Sequence, residues 1–107
     1  MLLSPFVLAE LDYLLLTRYG LEQEVALLGE VARGTYRLVA LSAQDVAKAT
    51  EVIERYSSFG DVGLADASNV LLAERYDTRD IFTLDERHFR MMRGPRGRPF
   101  RLLPADA

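Results

Sequence analysis

Three carboxylates stand among residues that otherwise build cores. Glu10 lies in Phe6-Val7-Leu8-Ala9-Glu10-Leu11, Asp66 in Leu64-Ala65-Asp66-Ala67-Ser68, and Asp85 ends Ile81-Phe82-Thr83-Leu84-Asp85. A carboxylate in apolar surroundings is costly unless it is paired or bound to a cation. Three that converge repel one another, and a divalent metal is the simple remedy. Each acid also has an ordinary structural reading. Asp66 could be an early-turn acid favoured by a helix dipole, Asp85 the cap of a short turn, and Glu10 the partner of a neighbouring arginine. Asp12, Asp61, Asp77 and Asp80 sit in polar or turn-like contexts and read as solvated, although Asp61, five residues before Asp66, is a distant fourth candidate.

Other chemistries are excluded by what the chain lacks. With no cysteine it has no thiol nucleophile, disulfide framework or cysteine zinc site, and its one histidine, His88, cannot build a histidine metal cage. There is no G-x-x-x-x-G-K-[ST], G-x-G-x-x-G or G-x-S-x-G motif. No uncharged apolar run approaches the roughly 18 residues of a membrane span, and the start lacks the basic segment and cleavage site of a signal peptide. The 107 residues, 50% apolar and 27% charged, suit a single soluble domain with one core, expected in the cytoplasm. The net charge of −3 is unevenly spread: residues 1–86 hold 15 acids and 7 bases, and residues 87–107 hold 6 arginines and 1 acid. Arginine clustering suits phosphate contacts, because the guanidinium fork matches phosphate oxygens, although solvated surface arginines read the same way.

The elements that must position the three acids follow from periodicity. Met1 to Leu3 is expected to end a short strand. Ser4-Pro5 reads as an N-cap with proline in the first turn, opening a helix that stops near Gly20. A second helix is expected over Leu21 to Arg33 with Val25, Leu28 and Val31 facing inward. Tyr36 to Leu41 suits a strand, and Ser42 with Asp45 resembles a capping box opening a third helix to about Tyr56. Leu64 to Tyr76 is helical in spacing, Ile81 to Leu84 is a short strand, and Phe100 to Leu103 a last one. Strands alternating with helices predict an α/β fold with a parallel sheet, in which ligands gather at the carboxyl ends of strands. Asp85 stands at such an end.

In these segments the sequence resembles the PIN-domain ribonucleases of the VapC toxin type. Ser4-Pro5-Phe6-Val7-Leu8-Ala9-Glu10-Leu11 is similar to the family's second-acid segment. Leu64-Ala65-Asp66-Ala67-Ser68 with Leu72-Ala73-Glu74-Arg75 is similar to the third-acid helix, and Ile81 to Phe89 to the fourth-acid segment. Gly97-Arg98-Pro99-Phe100-Arg101-Leu102-Leu103-Pro104 resembles the last strand. The matches run in order along nearly the whole chain. Absent is the family's opening strand with its Asp-x-Ser or Asp-x-Thr aspartate. The expectation is therefore a single PIN-like domain over 1–107, N-terminally incomplete, its parallel sheet flanked by helices and lacking the first, central strand.

The resemblance implies a metal-dependent endoribonuclease, the toxin of a VapBC-type toxin–antitoxin pair. It implies a site in which Glu10, Asp66 and Asp85 hold Mg²⁺ or Mn²⁺ and hydrolyse RNA phosphodiester bonds. The arginines after Asp85 would then rim the site and hold RNA phosphates. It further implies a VapB-type antitoxin partner and a homodimer, with the leucine-rich pair Ser4–Gly20 and Leu21–Arg33 as candidate contacts and core packing as their ordinary use. A competing reading is a catalytically impaired module that binds antitoxin or dimerises without cleaving RNA. A phospho-acceptor receiver domain also clusters acids at strand ends, but it needs a lysine at a late strand end, and the one lysine, Lys48, falls mid-helix.

Overall fold

The chain turns from strand to helix at Ser4. A computed structural model describes residues 1–83, 89–90, 92–103 and 106, with Phe59 described in its backbone alone; Asp85 and His88 lie outside the described residues. Strand β1 (Leu2–Leu3) ends where the Ser4 hydroxyl accepts from the amides of Phe6 and Val7, at 3.1 and 3.4 Å, and Pro5 occupies the first position of helix α1 (Pro5–Arg18). This satisfies two amides that a helix start leaves without partners. Gly20, at φ +99°, takes the sharp bend between α1 and helix α2 (Leu21–Ala32), a conformation other residues rarely adopt. Strand β2 (Arg37–Leu38) follows, then α3 (Ala43–Arg55), α4 (Leu64–Arg75), β3 (Asp80–Phe82) and β4 (Arg101–Leu103). The Ser42–Asp45 capping box forms as expected, with Ser42 N–H donating to Asp45 at 2.8 Å and Asp45 N–H to Ser42 at 3.2 Å.

The strands are parallel but do not form one sheet. β1 pairs with β2, Leu2 opposite Arg37 and Leu3 opposite Leu38; β3 pairs with β4, Asp80, Ile81 and Phe82 opposite Arg101, Leu102 and Leu103. β1 comes within 8 Å (Cα–Cα) of β3, yet no ladder joins them, so the single parallel sheet expected from the alternation is split in two.

Helix α4 is the post around which the rest is built. Eight of its twelve residues are buried, so it has no solvent face to speak of. On one side Ala67, Val70 and Ala73 pack with Ala49 and Val52 of α3, Ile81 of β3, Leu102 of β4, and Phe89, Met92 and Phe100. On the other, Ala65 joins Leu3, Val7 and Leu11, with Leu27, Val31, Tyr36 and Phe82 closing over them. Burial of each such large side chain contributes about 1.5–3 kcal/mol. The inward face of α2 differs from expectation. Leu27 and Val31, four residues apart, face the core, while Val25 and Leu28 are 57% and 40% exposed.

Charges fasten these helices in two unlike ways. Arg75 near the end of α4 pairs with Asp45 in the first turn of α3. That guanidinium, and then the Ser42 amide, hold the Asp45 carboxyl down at about 2. A lowered carboxylate pKa stabilises the fold above the unfolded value of 3.8 and loses its contribution as pH falls through about 2. Between α1 and α2, by contrast, the carboxyls of Asp12 and Glu24 meet. Sharing a hydrogen bond with Asp12 pushes Glu24 up from 4.5, while Asp12 Oδ1 is buried without a hydrogen-bond partner. As two carboxylates the pair has no donor; a proton on Glu24 supplies one. A raised carboxyl pKa stabilises the fold below 4.5, and the contribution disappears as pH rises through the folded value.

Two outcomes follow from these contacts. Asp45→Asn should lower the melting temperature at pH 7, and thermal melts should show the deficit shrinking as pH drops below 4 toward 2. Glu24→Gln, which keeps a donor beside Asp12 at every pH, should raise the melting temperature at pH 7 and change it far less at pH 4.

Candidate functional site

Glu10 and Asp66 are carried by two different helices, α1 and α4. Glu10 precedes Leu11 on α1 and Asp66 follows Ala65 in the first turn of α4, and Leu11 and Ala65 belong to the same buried cluster. The two carboxylates therefore hang on backbone that one patch of core holds together. Glu10 is exposed and Asp66 half-buried, so the acids stand at the edge of that core rather than inside it. Asp66 also lies where α4 presents its first amides, which favours negative charge. Asp85, the third expected ligand, lies outside the described residues. Among the described residues no three His, Cys, Asp or Glu side chains gather to hold a metal ion; Glu10 and Asp66 are the two expected ligands that fall within the described residues. Their oxygens are hard donors with no thiolate or imidazole beside them in the candidate set, which fits Mg²⁺ or Mn²⁺.

Asp61, the fourth candidate, opens elsewhere. It lines a cleft of about 320 Å³ with Ile53, Ser57, Gly60, Val62 and Gly63, between the end of α3 and the start of α4. None of the described lining residues comes from α1.

The arginine-rich segment is a correction to the sequence reading. It was expected to rim the acidic site, yet much of it is engaged at the opposite end of the strands. Arg96 and Arg98 reach Asp77 at 2.5 and 3.3 Å, and Arg101 reaches Asp80 at 3.2 Å. Asp80 and Arg101 are the first residues of β3 and β4, whereas the chain leaves β3 toward Asp85 from Phe82. These three arginines fasten the amino ends of the strands, beside a cleft of about 450 Å³ lined by Met1, Leu2, Tyr76, Thr78, Asp80, Arg101 and Leu103. Arg90 grips Asp106 through two bonds of 2.8 Å. That grip, with the Leu102 amide, holds the Asp106 carboxyl at about 2. Asp77 and Asp80, read as solvated, are thus anchors. The physical reason is reach: a guanidinium takes the nearest carboxylate, and the turn before β3 and the first residue of β3 supply Asp77 and Asp80.

Two residues missed by the sequence reading follow Asp66 on α4. Ser68 and Asn69 are buried on α4, and each hydrogen-bonds outward to a different element: Ser68 to Ser4 at 2.6 Å, and Asn69 to the Phe82 carbonyl at 3.1 Å. The available signal was a pair of polar residues interrupting the apolar run from Leu64 to Ala73.

No family profile matches the chain. It is similar to Ribonuclease VapC26 of Mycobacterium tuberculosis (strain ATCC 25618 / H37Rv), with 43% identity over 104 residues, covering 97% of this chain and 76% of that protein. Identity at that level across almost the whole chain, on an α/β frame with small parallel sheets, establishes descent from one fold. The chain belongs to the VapC-type PIN-domain ribonucleases.

Proposed function

We propose that the chain is an endoribonuclease toxin of a VapBC-type pair, acting in the cytoplasm, with Glu10, Asp66 and Asp85 holding Mg²⁺ or Mn²⁺. The observation that carries this reading is the attachment of Glu10 and Asp66 to helices packed through one cluster, in a chain 43% identical to a ribonuclease. Bound to these carboxylates, a divalent cation supplies a water of lowered pKa and positive charge at the phosphate under attack. The protein's part is positional. Glu10 on α1, Asp66 on α4 and Asp85, three residues beyond β3 in the sequence, would hold the ion.

The partner surface lies on the helical hairpin. Tyr13 and Leu16 on α1, Tyr19 in the bend, and Leu21, Val25 and Leu28 on α2 are all exposed, the last three at the i, i+4, i+7 spacing of one helix face. α2 has no buried residue at all. A stripe of large apolar side chains on one hairpin is characteristic of an interaction surface rather than of scattered exposure. This favours the hairpin as the contact for a VapB-type antitoxin or for a second copy of the chain, and it serves the non-cleaving reading equally well.

Saturating Mn²⁺ should stabilise the chain, by about 2.7 kcal/mol at 100 times the dissociation constant. Asp66→Asn should remove most of that gain in a thermal melt, and EDTA should abolish cleavage of single-stranded RNA. A chain that binds no metal and cleaves no RNA would leave the interaction module standing alone. Val25→Lys with Leu28→Lys should leave the melting temperature within about 0.5 kcal/mol equivalent, as exposed substitutions do, while light scattering and antitoxin titration show association lost.

A further inference from the structure

We infer that Ser68 and Asn69 are positioning residues that set how α4, which bears Asp66, sits against α1, which bears Glu10, and against β3, an inference that rests on the metal reading above. The hydrogen bonds have a fixed direction. Ser68 Oγ lies 2.6 Å from the Ala65 carbonyl and 2.6 Å from Ser4 Oγ. A carbonyl only accepts, so the single Ser68 hydroxyl proton goes to Ala65, and the Ser4 hydroxyl must donate to Ser68 Oγ. Ser4 Oγ in turn accepts from the Phe6 and Val7 amides. The chain of donors therefore runs from the first turn of α1, through two hydroxyls, to the Ala65 carbonyl. That carbonyl belongs to the peptide unit that carries the amide of Asp66.

The neighbouring residue makes the other tie. Asn69 Nδ2 donates to the carbonyl of Phe82, the last residue of β3, three positions before Asp85. Two consecutive side chains on the most buried helix thus fix α4 to α1, which bears Glu10, and to the strand that leads to Asp85. Ser4, Ser68 and Asn69 are 0%, 1% and 6% exposed. An apolar pair would fill such space without desolvating two hydroxyls and an amide, so core packing alone does not call for them. Helices in contact through small apolar residues such as Ala65 and Ala67 can slide; a directed hydrogen bond sets one register. A carboxylate displaced by a fraction of an ångström loses a bond of about 2.0–2.6 Å to a cation.

The test is Mn²⁺ affinity, read by electron paramagnetic resonance of the free ion with no RNA present. Ser68→Ala and Asn69→Ala should each weaken binding by about 10- to 100-fold, the range seen when groups that orient metal ligands are removed. Val70→Ala, a buried change on the same helix that touches neither tie, should lower the melting temperature yet leave the affinity within about twofold. Ser68→Thr, which keeps the hydroxyl, should bind close to wild type. Unchanged affinity in both Ser68→Ala and Asn69→Ala, or an equal loss in Val70→Ala, would overturn the inference while leaving the metal reading intact. No Mn²⁺ binding by the wild-type chain would overturn the metal reading and this inference with it.

Discussion

A helix buried on every side must settle its polar groups within the protein, and α4 is such a helix. Beyond its uncapped first turn its backbone is satisfied within the helix, but Ser68 and Asn69 reach sideways for their partners, and Asp45 and Glu74 take up Arg75 and Arg55 across the groove to α3. Every neighbouring element is placed by one of these demands or by the apolar residues between them. α1 stands where Ser4 meets Ser68, α3 where Asp45 meets Arg75, and β3 where Phe82 offers its carbonyl. Glu10 and Asp66 are carried on elements so placed, so a site that used them would take its precision from the packing of a buried helix.

At the amino ends of β3 and β4, arginines and aspartates neutralise one another in the Asp77–Arg96–Arg98 and Asp80–Arg101 contacts. In exposed ion pairs the net stabilisation is small, so the consequence of these contacts is mainly geometric: they keep the strand ends together where the two half-sheets are not joined by a ladder.

Much of this was legible in the sequence. Ser4-Pro5 and Ser42 with Asp45 announced two helix starts through local hydrogen bonds that need no tertiary context, and both form. Leu64 to Tyr76 declared its helix by period. The orientation of α2 was not legible, because Leu21, Val25 and Leu28 are as good an apolar face as Leu27 and Val31; which face is buried depends on how the bend at Gly20 lays α2 on α1. The arginines misled for a related reason. Their clustering in sequence suggested clustering at a phosphate, but the partners that hold them, Asp77 and Asp80, precede them by about twenty positions and come alongside only when β3 pairs with β4. Glu10 and Asp66 stood out because a carboxylate amid core residues is physically anomalous, whereas Ser68 and Asn69 were overlooked because each is individually ordinary in a helix.

The central claim is that the carboxylates borne by α1 and α4 hold one divalent cation. Anomalous diffraction from crystals of the chain grown with Mn²⁺ tests it most directly. The account predicts a peak within about 2.0–2.6 Å of an oxygen of Asp66, with Glu10 and Asp85 around the same ion. A peak held instead by Asp77 and Asp80 at the amino ends of the strands, or by Asp12 and Glu24 between the first two helices, would contradict it.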